Sequence, residues 1–484
     1  LQTGCHSVRK PRTITGYGIW DNSNQVITHG HGVGVAVEAV ANRVLGRPCD
    51  GGITTPPKPS TDFSAIIAIG DTIARLCPRP ALVNFHEVAL MWDARKRKKY
   101  IGIANNMSAV SSIQRDAKLR CFIKPEKHFG PTIGRVISPR NPRYNIRVAQ
   151  YLKPLEKSIY HALDRHCGQP TVLKCANQTQ RAQAILHHVS LHGDWVAVGL
   201  DASRFDQHVS RPILQVEHGV YLRVYGHDAR LKRLLDLQLT NYCTMQCVDG
   251  KLKWCTEGGR MSGDMNTALG NVLLSVLMLL ELRNELGNGM TFINDGDDCV
   301  CFMNRRDLEP FLLRVKTFYL ERGFTMKVEP PVWEVEHIEF CQSKPVRLGD
   351  GYRMVRIPGK VLRQDSLVIS MDPSSDYQKW LYGVGFCGLA ITSGCPVLQD
   401  YYLSLMRNGT PHRVDTSKYV VGSGHARRAA DEGRPSVASI ISDESRLSFW
   451  KAFGMDATLQ REVEGILQGA VLTVDSAPTE LPPC

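Results

Sequence analysis

Three observations predict an α+β fold built on a small antiparallel sheet backed by helices. From Trp195 to Leu200, Val196, Val198 and Leu200 fall on one face and small Ala197 and Gly199 on the other, the two-residue period of a strand. Met265, Ala268, Leu269, Val272, Leu273, Val276, Leu277 and Leu280 recur at i, i+3, i+4 and i+7, which marks a long buried helix. The third observation is order: strand, helix, helix, hairpin, helix, strand is the succession such a sheet needs.

Taken along the chain, residues 1–60 are rich in glycine and basic residues. They end in Thr54-Thr55-Pro56-Pro57-Lys58-Pro59, which reads as an extended connector at a domain boundary. Helical spacing runs from Phe63 to Ala94, and Arg95 to Lys99 is an unbroken basic run, either a solvated face or an RNA contact. Between Cys121 and Tyr144, basic residues interleave with Phe122, Ile123, Val136 and Ile137, a pattern of strands and loops carrying charge. After the strand at 195–200, Ile213, Val216, Val220 and Val224 return to helical spacing. The helix that follows carries a polar stripe of Thr267, Asn271 and Ser275, and buried polar groups there require hydrogen-bond partners. Phe292-Ile293 before and Val300 to Phe302 after place Gly296-Asp297-Asp298 at a hairpin tip. Asp307 is expected to cap a helix whose apolar face is Leu308, Phe311, Leu312, Val315, Phe318 and Tyr319, closed by Gly323. Phe324, Met326 and Val328 then alternate as a strand with Lys327 on the opposite face. Beyond about residue 370 the pattern is mainly helical, broken by a loop-like Val421-Gly422-Ser423-Gly424, and the stretch from Asp475 to Cys484 reads as a frayed tail.

A chain of 484 residues, 43% hydrophobic, is too long for one simple two-layer domain and implies two or three subdomains. The net charge of +12 favours a polyanionic partner, nucleic acid or an anionic membrane, without choosing between them. The longest apolar stretch, Val272 to Leu280, is followed by Glu281 and Arg283 and reads as a core helix too short to span a bilayer. Fifteen cysteines are scattered without a compact framework, as reduced thiols are, and no disulfides are expected. Cys243 with Cys247 and Cys299 with Cys301 lack matching second pairs at zinc-site spacing, so they read as small buried hydrophobes. His187-His188 with His192 suits a metal on a helix turn or, more simply, an exposed helical face. The first residue is leucine rather than methionine and no secretory signal follows it, which suggests a fragment, a processed piece or the downstream part of a longer translation product.

The chemistry sits in paired carboxylates. Asp201-Ala202-Ser203-Arg204-Phe205-Asp206 places one carboxylate at a strand end and a second in the following turn. Asp297 and Asp298 sit at the hairpin tip with Asp295 nearby; alone, that tip would read as a solvated turn. Two acids held between apolar strands need a positive partner, and two-metal phosphoryl transfer uses carboxylates from separate strands to bridge ions about 4 Å apart. Asp201 and Asp297 are the natural bridging pair. Neighbouring strand residues point to opposite faces, which makes Asp298 the weaker direct ligand.

With these residues in order, the chain resembles viral RNA-dependent RNA polymerases, most closely those of the tombusvirus and carmovirus group. Asp201 and Asp206 match the first palm motif; Ser262-Gly263, Thr267 and Asn271 match the Ser-Gly-x-x-x-Thr-x-x-x-Asn motif; Gly296-Asp297-Asp298 matches the third and Lys327 the fourth. Glu339-Phe340-Cys341-Gln342-Ser343 resembles the turn at the primer grip. Lys124-Pro125-Glu126-Lys127 and Arg135-Val136-Ile137, with Arg140 and Arg143, resemble the fingers motif that receives a triphosphate. The match covers roughly residues 120–345.

The resemblance implies a right hand. An N-terminal extension and linker would occupy residues 1–60, fingers 61–194, palm 195–350 with a fingers insertion around 225–258, and a mainly helical thumb with its tail 351–484. It implies an RNA-directed RNA polymerase that copies a positive-strand viral genome, with two magnesium ions, for which manganese can substitute, on Asp201, Asp297 and Asp298. Asn271 with Asp206 would bond the ribose 2′-hydroxyl. Arg135, Lys124 and Lys127 would meet the triphosphate, while template contact and structural pairing suit Arg140 and Arg143 equally. Lys327 is either a general acid toward pyrophosphate or a solvated strand lysine. The implied partners are single-stranded viral RNA, nascent RNA, NTPs and a membrane-anchored viral accessory protein. The implied location is a membrane-associated replication complex in the host cytoplasm, reached through an upstream segment or that partner, since no spanning segment is expected here. Such a chain fits a readthrough or frameshift product. Two alternatives stand beside it: a reverse transcriptase, which shares the palm but lacks the Asp206 and Asn271 arrangement, and a basic RNA-binding scaffold with vestigial aspartates.

Overall fold

Four antiparallel strands carry the centre of the computed structural model, which describes residues 2–3, 13–17, 26–49, 51–107, 112–349, 351–369, 376–416, 435–472 and 474–478. They are β1 (Trp195–Ala202), β2 (Thr291–Asp295), β3 (Asp298–Asn304) and β4 (Met326–Val328), in the order β2-β3-β1-β4. One face of the sheet sends Val196, Val198, Leu200, Cys299 and Cys301 into the main core, against Val272, Val276 and Leu280 of the helix Thr267–Leu286. The other face is also covered: Ala197, Ile293, Val300 and Phe302 pack with Ile185, Phe340 and Met354. Both faces being dry explains why β3 reads as an apolar run rather than an alternation. Gly199 has a separate cause, since a Cβ there would lie 2.2 Å from the Glu329 carboxylate.

The helix Thr267–Leu286 is longer than the apolar stretch that announced it. At 20 residues it is long and apolar enough to cross a membrane, but 72% of its apolar window is buried within the protein, as a core helix requires. Its polar stripe finds partners: Thr267 Oγ1 donates to the Met261 and Asp264 carbonyls at 3.1 and 3.0 Å, Asn271 to Asp206 at 2.9 Å, and Ser275 accepts from Asn294 at 3.0 Å.

A five-stranded sheet lies to one side, in the order Gln2–Thr3, Gly250–Glu257, Thr240–Gln246, Leu119–Ile123, Val136–Ile137. The segment expected to leave the palm thus pairs with strands from the upstream basic region. Beyond the hairpin Ser343–Leu348 and Gly351–Arg356, four helices, Asp376–Thr392, Leu398–Asn408, Asp443–Phe453 and Ala457–Gly469, enclose their own core of Tyr377, Leu381, Leu398, Tyr402 and Phe449. The architecture is therefore the mixed α/β arrangement of small open sheets and helical regions expected of fingers, palm and thumb.

Several expectations need correction. Residues 55–60 have no regular structure, and regular elements lie upstream of them. Thr13–Tyr17 is the middle strand between Val368–Ile369 and Val474–Pro478, and Val26–Ile27 pairs with His128–Phe129. Residues 475–478 are accordingly a strand rather than a frayed end, while residues 479–484 and Val421 to Gly424 lie outside the described residues. Asp307 occupies the N-cap of Leu308–Glu321 but sits in helical backbone after a short 3-10 turn and makes no capping bond. His188 and His192 do not face solvent: they are 0% and 6% exposed, and His192 bonds Thr291 at 3.0 Å. Every described cysteine is a free thiol.

Candidate active site

The hairpin that presents the two adjacent aspartates is set by Gly296 and Asn294. Asp295 pairs with Asp298, leaving Gly296-Asp297 as a two-residue turn, and Gly296 takes φ 93°, the positive φ that primed hairpin turns require at their first central position. Asn294 locks the turn from beneath by accepting from the Gly296 amide at 3.0 Å and donating to the Gly296 carbonyl at 2.8 Å.

The three acids of the tip are thereby sorted. Asp295 is a structural anion, paired with Lys174 Nζ at 2.7 Å and with buried Arg181; burial opposes its ionisation, but these cations outweigh it and hold its pKa below the usual carboxylate range. Asp297 projects into a cleft of about 840 Å³ that it shares with Asp201, Asp206, Ser262, Gly263, Thr267 and Asn271. Its pKa is raised, first by desolvation and then by the facing Asp206 and Asp201 carboxylates. Asp298 opens β3 directly across from Asp201 and is not among the cleft-lining residues. Desolvation, then Asp297 and Asp295, push it up to about 6. On the other side of Asp201 stands Lys327, its register partner on β4 and likewise outside the cleft lining.

Asp206 lies on the short turn Phe205–His208, and both carboxylate oxygens are held: Ser262 Oγ donates to one at 2.5 Å and Asn271 Nδ2 to the other at 2.9 Å. The Ser262-Gly263 loop is tied to the strand Val136–Ile137 through the Ser138 amide, which donates to the Ser262 carbonyl at 2.8 Å. Gly263, at φ 125°, would bring a Cβ to 3.2 Å from the Pro139 backbone, so a side chain there would force the two loops apart.

The basic residues divide. Arg135 lines the cleft, with Glu126 3.4 Å away. Lys124 pairs with the same Glu126 at 2.6 Å and does not line the cleft. Lys127 points away, its Nζ donating to the Gln364 and Leu367 carbonyls at 2.5 and 2.9 Å, where desolvation lowers its pKa to about 8. Arg140 is buried and bonds Asp264 at 2.6 Å, Asn241 at 2.6 Å and the Ala117 carbonyl at 2.7 Å. Arg143 donates to the Asn106 carbonyl at 2.6 Å. The structure thus gathers Asp201, Asp206, Ser262, Gly263, Thr267, Asn271, Asp297 and Arg135 in one cleft and places Lys124, Lys127, Arg140, Arg143, Asp298 and Lys327 around it.

Four cleft cations escaped the sequence reading. Arg43 comes from the N-terminal region, Lys153 from the helix Pro142–Cys167, Lys174 from the loop before the helix Gln178–Ser190, and Arg204 from between the two aspartates of the first motif. Arg43 has a depressed pKa, through burial and then the proximity of Arg204 and Arg135. Only Arg204 had a signal, its position between Asp201 and Asp206. Among the described residues no three His, Cys, Asp or Glu side chains surround a common ion position. Magnesium, however, uses one or two protein carboxylates and completes its shell with waters and substrate phosphates. Asp201 and Asp297, sharing a cleft in which anionic neighbours raise the Asp297 pKa, fit that donor set.

Comparison with known proteins supplies the family. The family model described as viral RNA dependent RNA polymerase matches residues 3–475. The RNA-directed RNA polymerase of Tobacco necrosis virus (strain A) is 36% identical over 421 residues, 85% of this chain and 58% of that protein. That of Carnation mottle virus is 36% identical over 413 residues, 84% of this chain and 53% of that protein. That of Oat chlorotic stunt virus (isolate United Kingdom) is 34% identical over 463 residues, 91% of this chain and 61% of that protein. The chain spans about half to three fifths of the length of these relatives.

Proposed function

The chain belongs to the viral RNA-dependent RNA polymerase family, and from that premise we propose that it extends RNA on a single-stranded viral RNA template. The 3′-hydroxyl of the growing strand attacks the α-phosphate of a bound NTP, the bond to the β-phosphate breaks, and pyrophosphate leaves. The observation that carries this reading is the single cleft in which Asp201 and Asp297 meet the Asp206, Ser262 and Asn271 cluster opposite Arg135. Asp201 and Asp297 would hold divalent magnesium, or manganese in its place, which supplies charge neutralisation at the reacting phosphate and activates the hydroxyl.

The remaining roles belong to the chain's own groups. Asp206 and Asn271 orient the ribose through its 2′-hydroxyl, and Arg135, with Arg43 and Arg204 beside it, neutralises the triphosphate, for which the planar guanidinium is suited. Lys327, the register partner of Asp201 on the adjacent strand, is the candidate general acid toward pyrophosphate. Holding the reactants in line and stabilising charge account for most of such catalysis. The proposal extends to a positive-strand viral genome as template and to a membrane-anchored viral accessory protein that brings the enzyme to cytoplasmic replication complexes.

The test incubates the protein with single-stranded RNA, labelled NTPs and magnesium, with and without a primer. Asp297→Asn is expected to abolish nucleotide addition while RNA binding and thermal stability stay near wild type. Continued polymerisation by Asp297→Asn would refute the assignment of Asp297.

A further inference from the structure

Behind Asp206 and Asn271 lies a buried ion pair that the proposed chemistry does not use. Arg260 and Glu217 have side chains 1% and 0% exposed. Glu217 is saturated: one oxygen accepts from Arg260 Nη1 at 3.1 Å, Asn266 Nδ2 at 2.6 Å and Tyr221 Oη at 2.9 Å, and the other accepts from Arg260 Nη2. These bonds fix the guanidinium plane and leave its Nε–H to donate to Asn271 Oδ1 at 3.1 Å. The opposite end of the same amide donates to Asp206 at 2.9 Å. The Arg260 backbone amide also donates to the Asp206 carbonyl, at 2.7 Å.

We propose that the Arg260–Glu217 pair is a positioning device for ribose selection: it fixes the Asn271 amide so that its NH₂ group and the Asp206 carboxylate present one hydrogen-bonding surface to the sugar 2′-hydroxyl. Were the amide turned over, its carbonyl would face the Asp206 carboxylate and its NH₂ group the guanidinium, losing both hydrogen bonds to repulsion. Arg260 therefore fixes at the carbonyl end the same amide orientation that Asp206 selects at the NH₂ end.

Gly270 supplies an independent observation. It lies inside a helix, where glycine costs about 1 kcal/mol relative to alanine. A Cβ at this position would come within 2.4 Å of both Arg260 Nη2 and Glu217 Oε1. The helix thus gives up stability to leave room for this pair beside Asn271. Pair burial alone offers no compensating stability, since replacing buried ion pairs with apolar residues is often neutral or favourable.

The inference rests on the polymerase reading, and its test separates the two. Steady-state kcat and KM are measured for an rNTP and the matching dNTP on wild type, Arg260→Lys, Gly270→Ala, and the neutral double variant Arg260→Met with Glu217→Gln, with Asn271→Ala as reference. Arg260→Lys keeps the charge but lacks the Nε–H. Losing one hydrogen bond that acts only on the ribonucleotide predicts a roughly tenfold fall in the rNTP-to-dNTP ratio of kcat/KM. That fall should arise mainly from a higher KM for the rNTP, match Asn271→Ala, and recur in Gly270→Ala. Should Arg260→Lys fail to fold, the double variant, which leaves no unpaired charge, decides. Equal losses for both nucleotides, or an unchanged ratio in a variant that melts cooperatively, would mean a merely structural pair and overturn the inference while leaving the polymerase reading intact. Absence of RNA synthesis by wild type would overturn both.

Discussion

Arg135 and Arg140 stand in the same basic stretch and have opposite surroundings. Arg135 is 55% exposed at the cleft with one partial anion, whereas Arg140, 1% exposed, ties Asp264 to Asn241 and the Ala117 carbonyl. A bidentate, buried guanidinium is not replaceable by an ammonium, which lacks the planar fork. Arg140→Lys is therefore expected to lower stability by about 3 kcal/mol, seen as a fall in Tm, because it leaves Asp264 and Asn241 imperfectly paired. Arg135→Gln is expected to leave Tm unchanged and raise KM for NTPs about tenfold, as loss of one charge-assisted phosphate contact does. Thermal melts and steady-state kinetics on both variants check the contrast, and reversed phenotypes would exchange the two roles. The sequence displayed both charges but not their partners, because Asp264 and Asn241 lie more than a hundred residues from Arg140. Glu217 carries a sequence signal: it sits beside Val216 on the face marked by Ile213 and Val220, where an acid needs a buried cation.

At the level of elements, the helix Gln178–Ser190 covers the sheet through His188, which stacks on Phe302 with ring centroids 5.3 Å apart and bonds the Pro170 carbonyl at 2.8 Å. Desolvation lowers the His188 pKa to about 4 from 6.5. The fold therefore holds this imidazole neutral, while the unfolded chain takes up a proton below 6.5. Its contribution to stability is present above 6.5 and is lost as pH falls toward 4, with a slope of one proton, about 1.4 kcal/mol per pH unit. In His188→Gln, whose amide can still donate to Pro170, denaturant unfolding followed between pH 6.5 and 4 should show that slope reduced by one proton. An unchanged slope would place the proton uptake elsewhere. The sheet and hairpin of this region were legible because periodicity is local: Val196, Val198 and Leu200 alternate whatever they pack against. The histidine was not, since a helix face reveals its burial only when Phe302 lies against it. The N-terminal strands were hidden for the same reason. Thr13–Tyr17 is short, and its neighbours at 368–369 and 474–478 are specified by the whole fold.

For the whole molecule, contacts that local patterns cannot show bear on the path proposed for an RNA strand. Lys127 and Phe129 from the upstream basic region touch the segment 363–367, with Arg363 over the Phe129 ring at 5.7 Å, so the upstream basic region is joined to the segment after the Gly351–Arg356 hairpin. The basic run lies on the helix Ala94–Asn105, where Lys96 lines the cleft and Lys99, at i+3, is exposed on the same side, while Lys98 is exposed on the opposite face. Neither Lys96 nor Lys99 forms an ion pair with a described residue, so this side of the helix offers uncompensated charge at the cleft. That arrangement fits a single strand whose phosphates follow the helix toward Asp201 and Asp297, and it assigns part of the +12 net charge to a definite path. Affinity for single-stranded nucleic acid falls with salt at a slope of about 0.7 per phosphate neutralised, so Lys96→Gln with Lys99→Gln should reduce the magnitude of that slope by about 1.4. The double variant should melt near the wild-type temperature, because exposed unpaired lysines contribute little to folding. Fluorescence anisotropy with a labelled single-stranded RNA across a salt series measures the slope directly. If it does not change while the protein stays folded, RNA enters over another face and the basic run is a solvated surface.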